Sequence, residues 1–233
     1  MSNGLPQSDP RWPRLLSLAV HEFRTPVTVV SGYIRMLLKD KTGALTDQHR
    51  RLLEEAEKSC GRLSGLLVEM SDLANVEGGN APLSRSTIDL GALLEDTIAS
   101  LPPLPDRHID VALEGQASGA MVEGDPGRLK AAATAVLTAL RREVVGGDGL
   151  LVRQGLRQHD QVPSIWVAVA DASRVARLSD ADVSQLTLFD EWRGGCGLSL
   201  AIARRVIEAH GGRIWSPAED SKAGAVIVLP QAP

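Results

Sequence analysis

Near the start of the chain, apolar residues fall alternately four and three positions apart: Leu16, Val20, Phe23, Val27, Val30, Ile34 and Leu37. That spacing keeps them in one stripe along a helix, the seam of a coiled coil or helical bundle. Ser8-Asp9-Pro10 offers a start, with proline in the first turn where its missing N–H is not needed. The pattern ends near Lys39-Asp40-Lys41-Thr42-Gly43, and Thr46 or Asp47 is placed to cap a second helix. The second seam runs Leu53, Ala56, Cys60, Leu63, Leu67 and Met70 and stops at Gly78-Gly79. So short a connection makes the two helices antiparallel neighbours. Two helices alone bury little apolar surface. A dimeric four-helix bundle completes them, and packing of the hairpin on the rest of the chain is the alternative.

The run from Glu77 to Thr87 is rich in Gly, Ser and Pro and reads as a linker. Beyond it the periods mix. Helices are predicted over 89–100 and over 126–145, the latter capped by Asp125 and opened by Pro126. Strand-like alternation or short apolar runs occupy 108–113, 149–156, 164–170, 212–215 and 225–230. A last helix is predicted from Leu198 to His210, with Gly211-Gly212 as its stop. Strands and helices interleave without a βαβ rhythm, so the fold class is α+β with one open sheet. The predicted domains are the hairpin, residues 1–78, and an α/β domain, residues 79–233.

Composition narrows the picture. Hydrophobic residues make up 43% of the 233 positions but aromatics only 3%, so the core is built from Leu, Val, Ile and Ala. A net charge of -4 and a pI near 5.8 argue against nucleic acid as a partner. Cys60 and Cys196 lie far apart and form neither a disulfide framework nor a zinc motif. The first residues lack the pattern of a signal peptide, and no apolar run approaches the roughly 18 residues of a membrane span. The expectation is a cytoplasmic protein without a membrane segment.

His21, one of five histidines, is the first residue with evident chemistry. With Val20 and Phe23 in the seam it points outward, and Thr25, four residues on, shares its face. Glu22 is one helical step around. Pro26 has no N–H for the Glu22 carbonyl, which predicts a loosened or bent turn there. A neutral imidazole is a nucleophile, and a carboxylate beside it can take the proton from its other nitrogen. Taken singly, an exposed histidine on a helix is more often just a solvated polar residue. The set His21, Glu22 and Thr25 is the informative feature.

The hexapeptide His21-Glu22-Phe23-Arg24-Thr25-Pro26, on the first helix of a hairpin, resembles the phosphoacceptor box of two-component histidine kinases. The later stretches Leu188-Phe189-Asp190-Glu191-Trp192, the glycine-bearing run into the last helix, and Ala223 to Pro230 follow that family's order of landmarks. The resemblance spans nearly the whole chain. It implies that His21 is phosphorylated, that Glu22 assists proton removal, and that Thr25 helps place water for dephosphorylating the partner. It further implies a homodimer through the hairpin, a response-regulator receiver domain as partner, and an ATP-binding α/β sandwich in the second domain.

The nucleotide landmarks depart from the family pattern. Its two asparagine positions fall on Ala135 and Ala139, and alanine has no oxygen for magnesium or phosphate. Asp171 matches the aspartate that recognises the adenine amino group, but both glycines that should follow it are gone; it reads equally as a turn residue at a strand end. Gly195 and Gly197 match two glycines of the second glycine box, while Ser199 replaces the third. A glycine-rich entry to a helix can bind an anion or simply make a tight turn. Phe189 and Trp192 match the aromatics before the lid, yet Gly195 follows Trp192 by three residues, leaving almost no lid. ATP and magnesium are therefore left as questions, with no metal ligands assigned. The expected function is histidine phosphotransfer or phosphatase activity on a receiver. An ATP-dependent kinase with a divergent site, and a non-enzymatic dimeric adaptor, are the alternatives.

Overall fold

Helices α1, Trp12–Leu38, and α2, Asp47–Glu77, form the first of two units in this computed structural model, Met1–Ala81 and Pro82–Pro233. The residues described are 11–39, 43–79, 83–104, 107–115, 119–144, 149–193, 197–218 and 223–233. Helix α1 is preceded by Arg11 and carries Pro13 in its first turn; the start expected at Ser8-Asp9-Pro10 lies outside the described residues. Thr46 caps α2, its hydroxyl oxygen accepting from the His49 N–H at 3.2 Å. At the turn, the Arg50 guanidinium donates to the Leu38 carbonyl, 3.2 Å, satisfying one orphan group at the end of α1.

The buried line of the hairpin is Leu16, Val20 and Ile34 on α1 and Cys60, Leu67 and Ala74 on α2. Arg35 and Glu57 link the helices by an ion pair at 3.0 Å. Three residues expected in the seams stand open instead: Phe23 is 57% exposed, Val30 50% and Leu63 49%. The correction has a geometric cause. The four-three spacing sets two rows side by side, and the single neighbouring helix covers Val20 and Ile34 of one row while Phe23 and Val30 of the other stay open. Leu15, Tyr33 and Met36 widen the uncovered apolar face of α1.

The second unit is α+β. Its main sheet has six strands in the order β2-β4-β5-β8-β7-β6, and β1 pairs with β3 separately. The strands are β1 Ser86–Asp89, β2 Val111–Glu114, β3 Met121–Gly124, β4 Leu150–His159, β5 Val162–Ala170, β6 Leu186–Leu188, β7 Arg213–Pro217 and β8 Gly224–Pro230. The helices are α3 Leu90–Ala99, α4 Pro126–Glu143, α5 Val175–Asp180 and α6 Ser199–Ala209. Asp89 caps α3 through its carboxylate, which accepts from Gly91 N–H at 2.9 Å and Ala92 N–H at 3.1 Å. Asp125 caps α4 in the same way, accepting from Arg128 N–H at 3.0 Å.

Along β5 successive side chains face opposite ways. Ile165, Val167 and Val169 join Val136, Leu137 and Leu140 of α4 and Leu200 and Ile207 of α6 in the larger core. Trp166, Ala168 and Ala170 face the other side, where Val175 and Leu178 of α5 pack on them. Burial on both faces is why this strand reads as one continuous apolar run.

Four short elements were not expected: β1, β3, α5 and β6. The segment read as linker enters β1 at Ser86, because only Ile88 of that strand is buried and its alternation is invisible among polar neighbours. The sheet also contains a parallel pair, β2 with β4, joined through β3 and α4. The last helix stops where expected. Gly211 has φ +76°, and a Cβ on Gly212 would sit 2.4 Å from the Val228 carbonyl oxygen.

His210, 6% exposed, fastens this end of α6. Its Nδ1–H donates to the Val206 carbonyl at 2.6 Å and its Nε2 accepts from the Asp125 N–H at 2.9 Å. That tautomer needs a neutral ring. Burial pushes the His210 pKa below its ordinary value, and Arg85 and Arg128 push it the same way. A depressed native pKa means that stability from this group is complete above about pH 6.5 and is lost as pH falls through the native value. The urea midpoint should drop between pH 7 and 5 by more in the unchanged chain than in His210→Gln.

Candidate functional site

His21 lies in the middle third of α1, on the side away from the buried line Leu16, Val20 and Ile34. Its side chain is 77% exposed and that of Glu22 71%, with Nδ1 and Oε1 3.3 Å apart. Thr25 is exposed one turn later. In this geometry Nδ1–H donates to the carboxylate, so the Nε2 lone pair is the one presented outward. The α1 helix runs through Pro26 without a break. The expected loosening is thus confined to one missing hydrogen bond on the Glu22 carbonyl, and Glu22 faces solvent. Two residues after the proline, the Thr28 hydroxyl donates to the Arg24 carbonyl at 2.8 Å. An exposed imidazole with one nitrogen held by a carboxylate can accept an electrophile at the other and shed charge through the first.

The second candidate constellation lies at the end of β5 in the other unit. Asp171 turns the chain there: its carbonyl accepts from the N–H groups of Arg174, 3.1 Å, and Val175, 3.0 Å. Its carboxylate is engaged by its own neighbours on both oxygens. Oδ1 accepts from Ser173 N–H at 3.0 Å and Ser173 Oγ at 2.5 Å, and Oδ2 is held by the Arg174 guanidinium. Arg174 also donates to the Ala223 carbonyl at 3.0 Å, bridging the strand end to the start of β8. Burial pushes the Asp171 pKa up, but the Ser173 hydrogen bonds and the Arg174 charge outweigh it and hold the carboxyl below the usual range.

Ala135 and Ala139 both lie on α4, with Ala139 1% exposed in the core. Among the described residues no cluster of three or more His, Cys, Asp or Glu is placed to hold a metal ion. Gly197 has φ +62° just before α6, a conformation that glycine adopts without strain. Gly195 lies outside the described residues. Phe189 is 4% exposed and Trp192 79%. Next to Trp192, Arg193 forms a bidentate ion pair with Glu143 at the end of α4, 2.8 Å for Nε to Oε1. It also donates to Ser216 Oγ at 3.1 Å and to the Gly224 carbonyl at 3.2 Å.

Sequence reasoning passed over both Arg174 and Arg193. The Asp-x-x-Arg spacing at 171–174, directly after an apolar strand, is a local signal that could have flagged the first. The second is invisible in sequence, because Glu143 stands 50 residues away.

Residues 13–79 match the His Kinase A (phospho-acceptor) domain family. The sensor histidine kinase GacS of Pseudomonas protegens is 28% identical over 226 residues, covering 91% of this chain and 24% of that protein. The sensor protein SphS of Synechococcus elongatus is 32% identical over 255 residues, covering 98% of this chain and 56% of the relative. The chain thus spans about a quarter of the length of GacS and little more than half of SphS. Among solved structures, full-length ShkA in complex with AMPPNP shares the fold, with a TM-score of 0.65 and 22% identity over 94% of this chain and 46% of that one. No described helix is long and apolar enough to cross a membrane.

Proposed function

This chain belongs to the two-component histidine kinase family, and from that premise we propose that His21 carries a phosphoryl group exchanged with the aspartate of a response-regulator receiver domain. The observation that carries the proposal is the exposed His21–Glu22 pair inside the segment that matches the phospho-acceptor domain. In the step proposed, the Nε2 lone pair attacks phosphorus, an N–P bond forms, and the P–O bond to the receiver's aspartate breaks with its carboxylate leaving. The Nδ1 proton remains shared with Glu22, which offsets positive charge on the ring. The reverse step returns the group, and Thr25, exposed one turn on, is assigned to placing water for hydrolysis.

Nucleotide does not fit the second unit well. The carboxylate matching the adenine-reading position is occupied by Ser173 and Arg174, and the two positions that would offer asparagine oxygens to magnesium are alanines. We derive no step through ATP or magnesium. The second reading, ATP-driven autophosphorylation, rests on Gly197, which keeps its positive φ at the entry to α6.

The uncovered apolar face of the hairpin supports a homodimer. Phe23, Val30 and Leu63 stand about half exposed, and a second hairpin would bury them. Val30→Asp combined with Leu63→Asp is expected to give a folded monomer by light scattering, where the unchanged chain runs as a dimer. A double variant that stays dimeric would place the interface elsewhere.

The deciding experiment offers the purified chain a labelled, phosphorylated receiver domain and, separately, labelled Mg-ATP. Label passing from the receiver to His21, or loss of receiver phosphate, with none gained from ATP, is the expected result. Label on His21 from ATP would favour the autokinase.

A further inference from the structure

A cavity of about 510 Å³ lies on the face of the main sheet opposite α4 and α6, at the end away from Asp171, and the proposed phosphotransfer makes no use of it. Helix α5, only six residues long, packs on the Asp171 end of that face. At the other end stand Trp166 of β5 and Trp215 of β7, 3% and 9% exposed, with rings near parallel at 12° and centroids 6.4 Å apart. His159 of β4 sets its ring edge-on to both, at 6.0 Å and 5.5 Å. The Arg157 guanidinium lies 4.2 Å from the Trp166 ring centroid.

Sealing a sheet face does not require these residues. The same face is closed elsewhere by Ala168, Ala170, Val226 and Val228. The chain has only four Trp, one Tyr and two Phe, and it sets two of them side by side here. An indole also brings a polar group that must be satisfied when buried. The Trp166 Nε1–H and the His159 Nε2 are both buried without a hydrogen-bond partner among the described residues. Asp160 stands 3.6 Å from that His159 nitrogen, too far for a hydrogen bond.

Room has been left beside them. Gly155 of β4 pairs directly with Trp166 across the ladder, and a Cβ there would meet nothing within 4 Å. Glycine inside a strand weakens it and often marks close approach of a ligand. The turn joining β4 to β5 holds Asp160 at φ 49° and Gln161 at φ 67°, positions that favour glycine.

We propose that this cavity binds a planar organic anion, its ring system against the edges of Trp166 and Trp215 that line the cavity and its anionic group at Arg213. Arg213 lies two residues from Trp215 on the same strand face, lines the cavity, is exposed, and makes no ion pair among the described residues. Of the other charges lining the cavity, Arg157 donates to the Ser179 and Ala181 carbonyls, Asp182 accepts from Ser184, and Asp160 is exposed beside His159 at 3.6 Å, so Arg213 is the cation left for a ligand. A volume of this size suits a ligand of two or three rings.

The test is NMR titration of the full chain with 2-naphthoate, following the indole N–H signals of Trp166 and Trp215, each assigned by its Trp→Phe variant. Saturable shifts of the Trp166 signal are expected. Arg213→Ala should weaken binding at least tenfold with an unchanged circular dichroism spectrum. Neutral 2-naphthamide and non-planar cyclohexanecarboxylate should each bind at least tenfold more weakly. No saturable shift at millimolar naphthoate, equal binding of the amide, or indifference to Arg213→Ala would overturn the proposal. His21 takes no part in any of these measurements.

Discussion

Replacing His21 with alanine will leave the chain folded and end all transfer of phosphoryl label from a phosphorylated receiver. The side chain is 77% exposed on a helix, so its loss removes no packing and alanine favours the helix. It removes the only nucleophile in the proposed step, so the expected drop reaches the detection limit, at least about a thousandfold. Glu22→Gln keeps the shape but not the charge and should cost about 10²–10⁴ in rate, the usual range for a lost acid–base partner. Thr25→Ala should slow loss of receiver phosphate while leaving label transfer to His21 nearly unchanged. Full transfer in His21→Ala would move the acceptor elsewhere. The readout is acid-labile, base-stable label on the intact chain.

The second large effect is a null. With labelled Mg-ATP, the unchanged chain should incorporate no label above background. For Asp171 to meet an adenine amino group it must first leave Arg174. Breaking a buried ion pair costs about 3–5 kcal/mol, and with side chains 20% and 16% exposed this one belongs near the lower end. On the proposed reading, alanine at 135 and 139 and the three-residue step from Trp192 to Gly195 each take several kcal/mol more from a reaction that depends on positioning and charge neutralisation. At 1.36 kcal/mol per decade the combined loss is on the order of four decades or more. Arg174→Ala alone should restore no label, because Ala135 and Ala139 remain. If that single change did restore label, the arginine would be a removable block on an otherwise competent site.

The parts of this fold that could be read in advance are those where one physical signal dominates over many residues. The hairpin seams, the caps at Thr46 and Asp125, and the glycine stop after His210 all rest on local spacing or backbone chemistry. Strand β5 was readable because both its faces are buried. What escaped notice was short or distant. Strand β1 buries one side chain of four, and α5 is too short for a helical period to show. The exposed residues of the predicted seam, Phe23, Val30 and Leu63, are periodic in sequence just like the buried ones; only the placing of the neighbouring helix separates them. Within the candidate site, His21 and its neighbours are contiguous and could be found by motif. The grip of Arg174 on Asp171 spans three residues and was overlooked, while that of Arg193 on Glu143 depends on tertiary structure.

The Arg174–Asp171 contact also bears on energetics at the scale of the cell. A phosphate carrier that draws on ATP is driven forward by the cell's energy charge and runs in one direction. On the proposed reading, one whose carboxylate at position 171 is held by its own arginine draws no such drive from ATP. Its flux then follows mass action alone, running toward whichever receiver pool is less phosphorylated. On that reading the chain levels the phosphorylation of the receivers it meets, and its set point is the ratio of their phosphorylated forms.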